Sequence, residues 1–181
     1  SFIEGGWLCI VMELARSGDL EKRLRKQRGQ LLPESKVVDW FRQICLAIQH
    51  VHGKNVLHRD LKSQNIFLTE NGSVVKVGDF GISRVMATGQ LAKTRVGTPY
   101  YMSPEIMQGE QYDHKSDIWS LGCVLYEMCN LRSPFKKDDQ NLYALFQRIT
   151  ACEFPPVAEV YSAELHALVG RMIQIEATER P

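Results

Sequence analysis

Between Ser116 and Cys129 the apolar residues Ile118, Trp119, Leu121, Val124, Leu125, Tyr126 and Met128 nearly encircle a helix. A helix with no polar face has no side to turn to water, so it belongs at the centre of its fold with other elements layered around it. Helices are available for that role. After Pro33, Val37, Trp40, Phe41, Ile44, Ala47, Ile48 and Val51 recur at spacings of three and four, which predicts a long amphipathic helix closed by Gly53. Asn141 to Thr150 and Ala163 to Ile173 predict two more, on either side of a Pro155-Pro156 break. Asp19 to Arg28 reads as a short helix, with an acid at its cap, Leu20 and Leu24 on one face and Gly29 after its end.

Strand signals are short. Trp7 to Met12, after Gly5-Gly6, predicts a buried strand, and Val56 to His58 a second. Ile66 to Leu68 turns through Asn71-Gly72 into Val74 to Val77, a strong hairpin signal. The expected fold class is therefore mainly α with short β-hairpins.

At 181 residues, 44% hydrophobic and 24% charged, the chain is one ordered domain or one large lobe. A net charge of +1 gives no global electrostatic case for nucleic acid or an anionic membrane. No apolar run reaches the length of a membrane span, because Glu13 and Arg16 interrupt the most hydrophobic early segment, and no signal peptide precedes it. The sequence starts at Ser1 without an initiator methionine and in mid-pattern, so a fragment is expected. Five cysteines without a C-x-x-C pair read as buried thiols in a reducing compartment. His50 and His52 read as the last turn of the long helix rather than as metal ligands. Lys22, Arg23, Arg25, Lys26 and Arg28 form either a solvated face or a site for a phosphopeptide or acidic partner.

The chemistry concentrates in His58-Arg59-Asp60-Leu61-Lys62-Ser63-Gln64-Asn65, followed by the apolar Ile66-Phe67-Leu68. An acid, a cation and a carboxamide lie on a loop with a strand beneath it. The hairpin brings Gly78-Asp79-Phe80-Gly81 toward Asn65. Hard divalent cations such as Mg²⁺ take carboxylate and amide oxygens together with substrate phosphates, so Asn65 and Asp79 suit a metal-phosphate complex. Asp60 is then free to accept a proton.

In order along the chain stand His58-Arg59-Asp60-Leu61-Lys62-x-x-Asn65, Asp79-Phe80-Gly81, Ser103-Pro104-Glu105 and Asp117-x-Trp119-x-x-Gly122. Together they resemble the eukaryotic protein kinases. The resemblance covers essentially the whole chain. It implies the C-terminal lobe of a kinase fold, with residues 1–14 as the last strand of the other lobe and the start of the hinge, and 15–181 ending before the last helix. It also implies transfer of the ATP γ-phosphate, with Mg²⁺ or Mn²⁺, to a protein substrate. Asp60 resembles the catalytic base, Lys62 the lysine on the transferred phosphate in serine/threonine kinases, and Asn65 and Asp79 the metal ligands. Met12 matches the residue that gates the adenine pocket, Glu13 and Ala15 the backbone that bonds the base, Asp19 the ribose contact and Phe67 the pocket floor. Arg59 with Thr94 resembles a catalytic-loop arginine holding an activation-loop phosphate, placed by an activating kinase or by autophosphorylation. Ser83 and Thr88 are lesser phosphorylation candidates. Thr98 matches a residue that bonds Asp60 and Lys62. Glu105 and Arg180 match a buried ion pair, and Asp117 the anchor beneath His58 and Arg59.

Asp60 to Leu68 and Gly97 to Glu105 are most similar to the NIMA-related kinases, which implies a cytoplasmic setting, or a nuclear, centrosomal or ciliary one. Ile82 implies a threonine preference. No Gly-rich phosphate loop and no Val-Ala-Ile-Lys strand precede Trp7. Two readings stay open: a fragment of an active serine/threonine kinase, or an inactive kinase-derived binding or scaffold module.

Overall fold

The computed structural model describes residues 1–79, 99–137 and 141–181. Thr94, Thr98, Phe80 to Ile82, Ser83 and Thr88, all singled out above, lie outside the described residues. In chain order the elements are β1 (Phe2–Glu4), β2 (Trp7–Cys9), α1 (Leu20–Arg25), α2 (Glu34–His52), β3 (Ile66–Thr69), β4 (Val74–Val77), α3 (Pro104–Met107), α4 (His114–Asn130), α5 (Leu142–Thr150) and α6 (Ala163–Met172). The body is mainly helical with two small antiparallel hairpins, β1–β2 and β3–β4, of which the sequence pattern predicts the second.

The encircled helix is α4, and it forms the centre. Trp119, Cys123, Val124, Leu125, Tyr126, Met128 and Cys129 are completely shielded from water. Asp113 and Ser116 start it with a reciprocal capping box. α2 and α6 pack on it, and Trp119 stacks face to face on Phe135 at 5.5 Å between ring centres. Gly122 explains the last glycine of the fourth motif. A Cβ there would stand 2.8 Å from Ile173 Cγ1 and 2.9 Å from Met172 Cβ, so only glycine lets α6 come this close. Gly122→Ala is expected to lose about 1 to 3 kcal/mol through overpacking. Urea unfolding of the parent and variant measures it.

On the other side of α2, Trp40 Nε1 donates to the Gly72 carbonyl at 2.8 Å, and Gln43 accepts from the Val75 N–H at 2.9 Å. These bonds fix the β3–β4 hairpin against the helix. Its register pairs Ile66 with Val77 and Thr69 with Val74, and Asn71 and Gly72 both take left-handed backbone in the connecting loop.

Two strand expectations are corrected. The first strand covers only Trp7–Cys9, turns back on Phe2–Glu4, and is exposed: Trp7 is 77% and Val11 78% accessible. A two-stranded ribbon needs a further layer to bury its side chains, and among the described residues none covers it. Val56 to His58 is not a strand. The Val56 N–H bonds back to the Val51 carbonyl and the His58 N–H goes to a side-chain carboxylate, so neither joins a ladder. α3 was missed at the sequence level, being a single turn with proline in its first positions and too short to show a period. All five cysteines are free thiols. Among the described residues no helix is long and apolar enough to cross a membrane.

Candidate active site

The catalytic-type loop is built from beneath. Asp117, in the first turn of α4, is fully buried, and its carboxylate collects four donors. They are the His58 N–H at 3.0 Å, the Arg59 N–H at 3.1 Å, His52 Nε2 at 2.7 Å and the Tyr112 hydroxyl at 2.5 Å. A buried carboxylate is tolerable only when so saturated. The bonds have a conformational consequence. Arg59 sits at φ +68°, a left-handed conformation that a non-glycine residue keeps only where its surroundings enforce it. Its side chain is exposed. Burial and the Asp117 charge both push the Tyr112 phenol up, which keeps it a donor.

His58 joins the loop to the hairpin. Its Nε2 lies 3.0 Å from the Gly78 carbonyl, which can only accept, so this nitrogen carries the proton. Burial pushes the imidazole below its ordinary value, against the pull of Asp117. The Gly78 N–H donates to the Asn65 carbonyl at 3.0 Å, so loop and hairpin are stitched together one residue before Asp79. Asp79 itself takes φ +55°, a second left-handed residue at the same place.

Within the loop, Lys62 Nζ is 2.6 Å from Asp60 Oδ2. Asn65 donates through Nδ2 to both the Asp60 carbonyl, at 2.8 Å, and Asp60 Oδ2, at 2.9 Å. The amide nitrogen is thus consumed in holding Asp60. Among the described residues nothing is bonded to the Asn65 amide oxygen, which with the Asp79 carboxylate gives a hard-oxygen donor set suited to Mg²⁺ or Mn²⁺. Among the described residues no three His, Cys, Asp or Glu side chains converge as a metal site.

The remaining candidates fall in three places. Asp19 caps α1 by accepting from the Lys22 N–H at 2.8 Å, and its backbone bridges to Phe67. Burial would raise its carboxyl, and the Lys22 ammonium and N–H outweigh that and lower it. The Phe67 ring lies against Gly78, where a Cβ would come within 2.8 Å of it. Met12 is 66% exposed, not core as the strand reading implies, and Glu13 pairs with Lys76 at the surface. The Ala15 carbonyl accepts from Gly18 N–H at 3.1 Å, while Met12 and Glu13 make no main-chain hydrogen bond among the described residues.

Below the loop, Arg180 is buried against Glu105 in a two-pronged pair at 2.8 and 2.9 Å. Its other three N–H groups reach the carbonyls of Gln174, Lys115 and Ile175, so all five donors are used. Burial alone would raise the Glu105 carboxyl; Arg180 and the Ser116 hydroxyl outweigh it and hold it at about 2. A group with a depressed folded pKa stabilises above its ordinary value and loses that contribution as protons bind. The stability tied to Glu105, about 3 kcal/mol, is therefore expected to vanish as pH falls from 4.5 toward 2. Urea midpoints across that window test it: the parent should fall more steeply than Glu105→Gln.

Sequence reasoning missed His52 and Tyr112 as partners of Asp117. It also missed a chain from the loop to α4 in which Ser63 and Tyr101 hydroxyls lie 3.0 Å apart and Tyr101 donates to the buried Glu127 at 2.6 Å. Only the fold brings these together, since 38 and 26 positions separate them.

A family model described as Protein kinase domain matches residues 1–181. Among curated proteins, the chain is 50% identical over 182 residues to serine/threonine-protein kinase Nek5 of Homo sapiens, an alignment covering 100% of this chain and 25% of that protein. It is 50% identical to Nek1 of Mus musculus over 182 residues, covering 100% of this chain and 15% of that protein. With Nek4 of Mus musculus the identity is 50% over 177 residues, covering 97% of this chain and 22% of that one. The chain thus spans a quarter or less of these relatives. Matched along its whole length, it belongs to the protein kinase domain family, and the relatives it resembles are NIMA-related serine/threonine kinases of the Nek type.

Proposed function

We propose that this chain is the catalytic-loop part of a serine/threonine protein kinase that transfers the γ-phosphate of ATP to protein hydroxyls. The observation that carries the reading is the division of labour at Asn65: its nitrogen holds Asp60 while its oxygen is left for a cation. Asp60 accepts the proton of the Ser or Thr hydroxyl as it attacks. Lys62, 2.6 Å from Asp60, meets the transferred phosphate. Asn65 and Asp79 would hold Mg²⁺ or Mn²⁺, which would neutralise phosphate charge there. Met12, Glu13, Ala15 and Phe67 face the adenine, and Asp19 the ribose. The protein substrate presents Ser or Thr; neither nucleic acid nor membrane has a part, and the setting is cytoplasmic, nuclear, centrosomal or ciliary.

Regulation falls to Arg59 and Thr94. A phosphate on Thr94 would supply nearly two negative charges for the exposed Arg59 guanidinium, and Thr98 is assigned by the family resemblance alone to bonding Asp60 and Lys62. Thr94→Ala in the full-length protein is expected to lower activity at least about tenfold; unchanged turnover would remove Thr94 from this role. The function itself is tested with full-length protein, labelled Mg-ATP and a mixed peptide library. Label on Ser and Thr supports it, and label on Tyr alone, or none, overturns it.

A further inference from the structure

The β3–β4 hairpin has two faces, and only one is spent on the core. Ile66 and Leu68 are buried, so Phe67 between them points to the opposite face, where it is half-buried. Its cross-strand partner is Lys76, and Gly78, two residues on, stands diagonal to it on the same face. That face meets the segment before α1: Lys76 pairs with Glu13, and the Phe67 backbone bridges to Asp19. Gly78 has little freedom to retreat. Its N–H donates to the Asn65 carbonyl and its carbonyl accepts from His58 Nε2, each at 3.0 Å. A Cβ on it would stand 2.8 Å from Phe67 Cε2 and 3.1 Å from Cδ2, inside the roughly 3.5 to 4 Å at which carbons rest. The Gly78 backbone is not left-handed, unlike that of Gly72, so conformation does not ask for glycine at this position. The aromatic ring does.

We propose that Phe67 and Gly78 are a steric pair that sets the floor of the adenine pocket: glycine at 78 is what admits an aromatic ring at 67, and a side chain at 78 is tolerated only with a smaller residue at 67. The proposal deepens the kinase reading and rests on it. With the main chain of Gly78 held on both sides, a methyl group there displaces the half-buried ring rather than the backbone. The ring is the surface assigned to the adenine, so the displacement is read as weaker nucleotide binding. Asp79, the next residue, keeps its place, and the chemical step is spared. Gly78 is thus a positioning residue acting through Phe67.

The experiment compares full-length parent, Gly78→Ala, Phe67→Val and Phe67→Val/Gly78→Ala, valine lacking both ring atoms that a Cβ would meet. Calorimetry gives the Kd of a non-hydrolysable ATP analogue with Mg²⁺, and steady-state kinetics on a Ser peptide give kcat and the KM for ATP. Gly78→Ala is expected to raise Kd and KM about tenfold, the scale of one misplaced methyl group in an apolar pocket, with kcat within about twofold of the parent. On the Phe67→Val background the same substitution should change Kd by less than about twofold, because no ring is left to displace. An equal loss of affinity on both backgrounds, no loss on either, or a fall in kcat at unchanged Kd overturns the pair alone. If Gly78→Ala does not fold, the melting point of the double variant decides: recovery supports the clash with the ring, and equal failure overturns it. A parent that neither binds the analogue nor transfers phosphate overturns the kinase reading and the pair with it.

Discussion

Replacing Asp60 by Asn in the full-length protein is expected to lower kcat by about 10² to 10⁴ while nucleotide affinity stays close to that of the parent. The geometry makes this substitution informative. Asp60 Oδ2 accepts from Lys62 Nζ and Asn65 Nδ2, and an asparagine oxygen in the same place can accept both bonds. The loop therefore keeps its hydrogen bonds and loses the carboxylate's charge, and with it the ion pair to Lys62 and the capacity to take up a proton. Anchoring by Asp117 reinforces the separation, because the His58 and Arg59 N–H groups are held from α4 whatever occupies position 60. Steady-state kinetics and equilibrium binding of Mg-ATP make the comparison. Loss of nucleotide binding together with turnover would reassign Asp60 to a structural task.

Arg180→Ala is expected to cost about 3 to 5 kcal/mol of stability, because it strands the Glu105 carboxylate without its partner. The structural reasons are specific. The guanidinium is buried, spends all five N–H groups, and lies over Trp119 at 5.0 Å from the ring centre. Its removal leaves three carbonyls short of a donor and a void beside the central helix. Arg180→Lys should recover only part of the loss, since a point charge cannot reproduce the fork. Thermal melting is the check: a drop of about 10 °C or more is expected for Ala, with a smaller one for Lys. A melting point unchanged in both would show that the pair contributes little.

Elements that bury one face or all faces were legible, because burial writes a period into the sequence. α2 shows it in Val37, Trp40, Phe41, Ile44 and Ile48, α4 in its nearly complete apolar surface, and β3–β4 in apolar runs around Asn71-Gly72. Elements fixed by particular polar bonds were not. Val56 to His58 has the composition of a strand, yet its backbone is committed to Val51 and Asp117. The exposed β2 failed for the opposite reason, since apolar residues there imply a covering layer that the described residues do not supply.

The same distinction holds at the site. Asp60 and Asn65 could be picked out because their spacing on a strand-backed loop has chemical meaning, and Asp79 because the hairpin returns it to that loop, whereas the role of Lys62 comes from the family resemblance alone. His52, Tyr112 and Tyr101 could not, since each acquires its role from a carboxylate on α4. The sequence assigns His52 only to a helix end. That assignment is correct and incomplete, because the end of α2 is where it meets Asp117.

Manganese binding separates proton acceptance from metal holding most directly. Full-length parent, Asp60→Asn, Asn65→Ala and Asp79→Asn proteins would be titrated with Mn²⁺ in the presence of a non-hydrolysable ATP analogue, and free Mn²⁺ read by electron paramagnetic resonance. The expected result is that the parent and Asp60→Asn retain nucleotide-dependent Mn²⁺, while Asn65→Ala and Asp79→Asn lose it. Retention by Asn65→Ala and Asp79→Asn, or its loss in Asp60→Asn alone, would contradict the assignment of the Asn65 and Asp79 oxygens to the metal and of Asp60 to the proton.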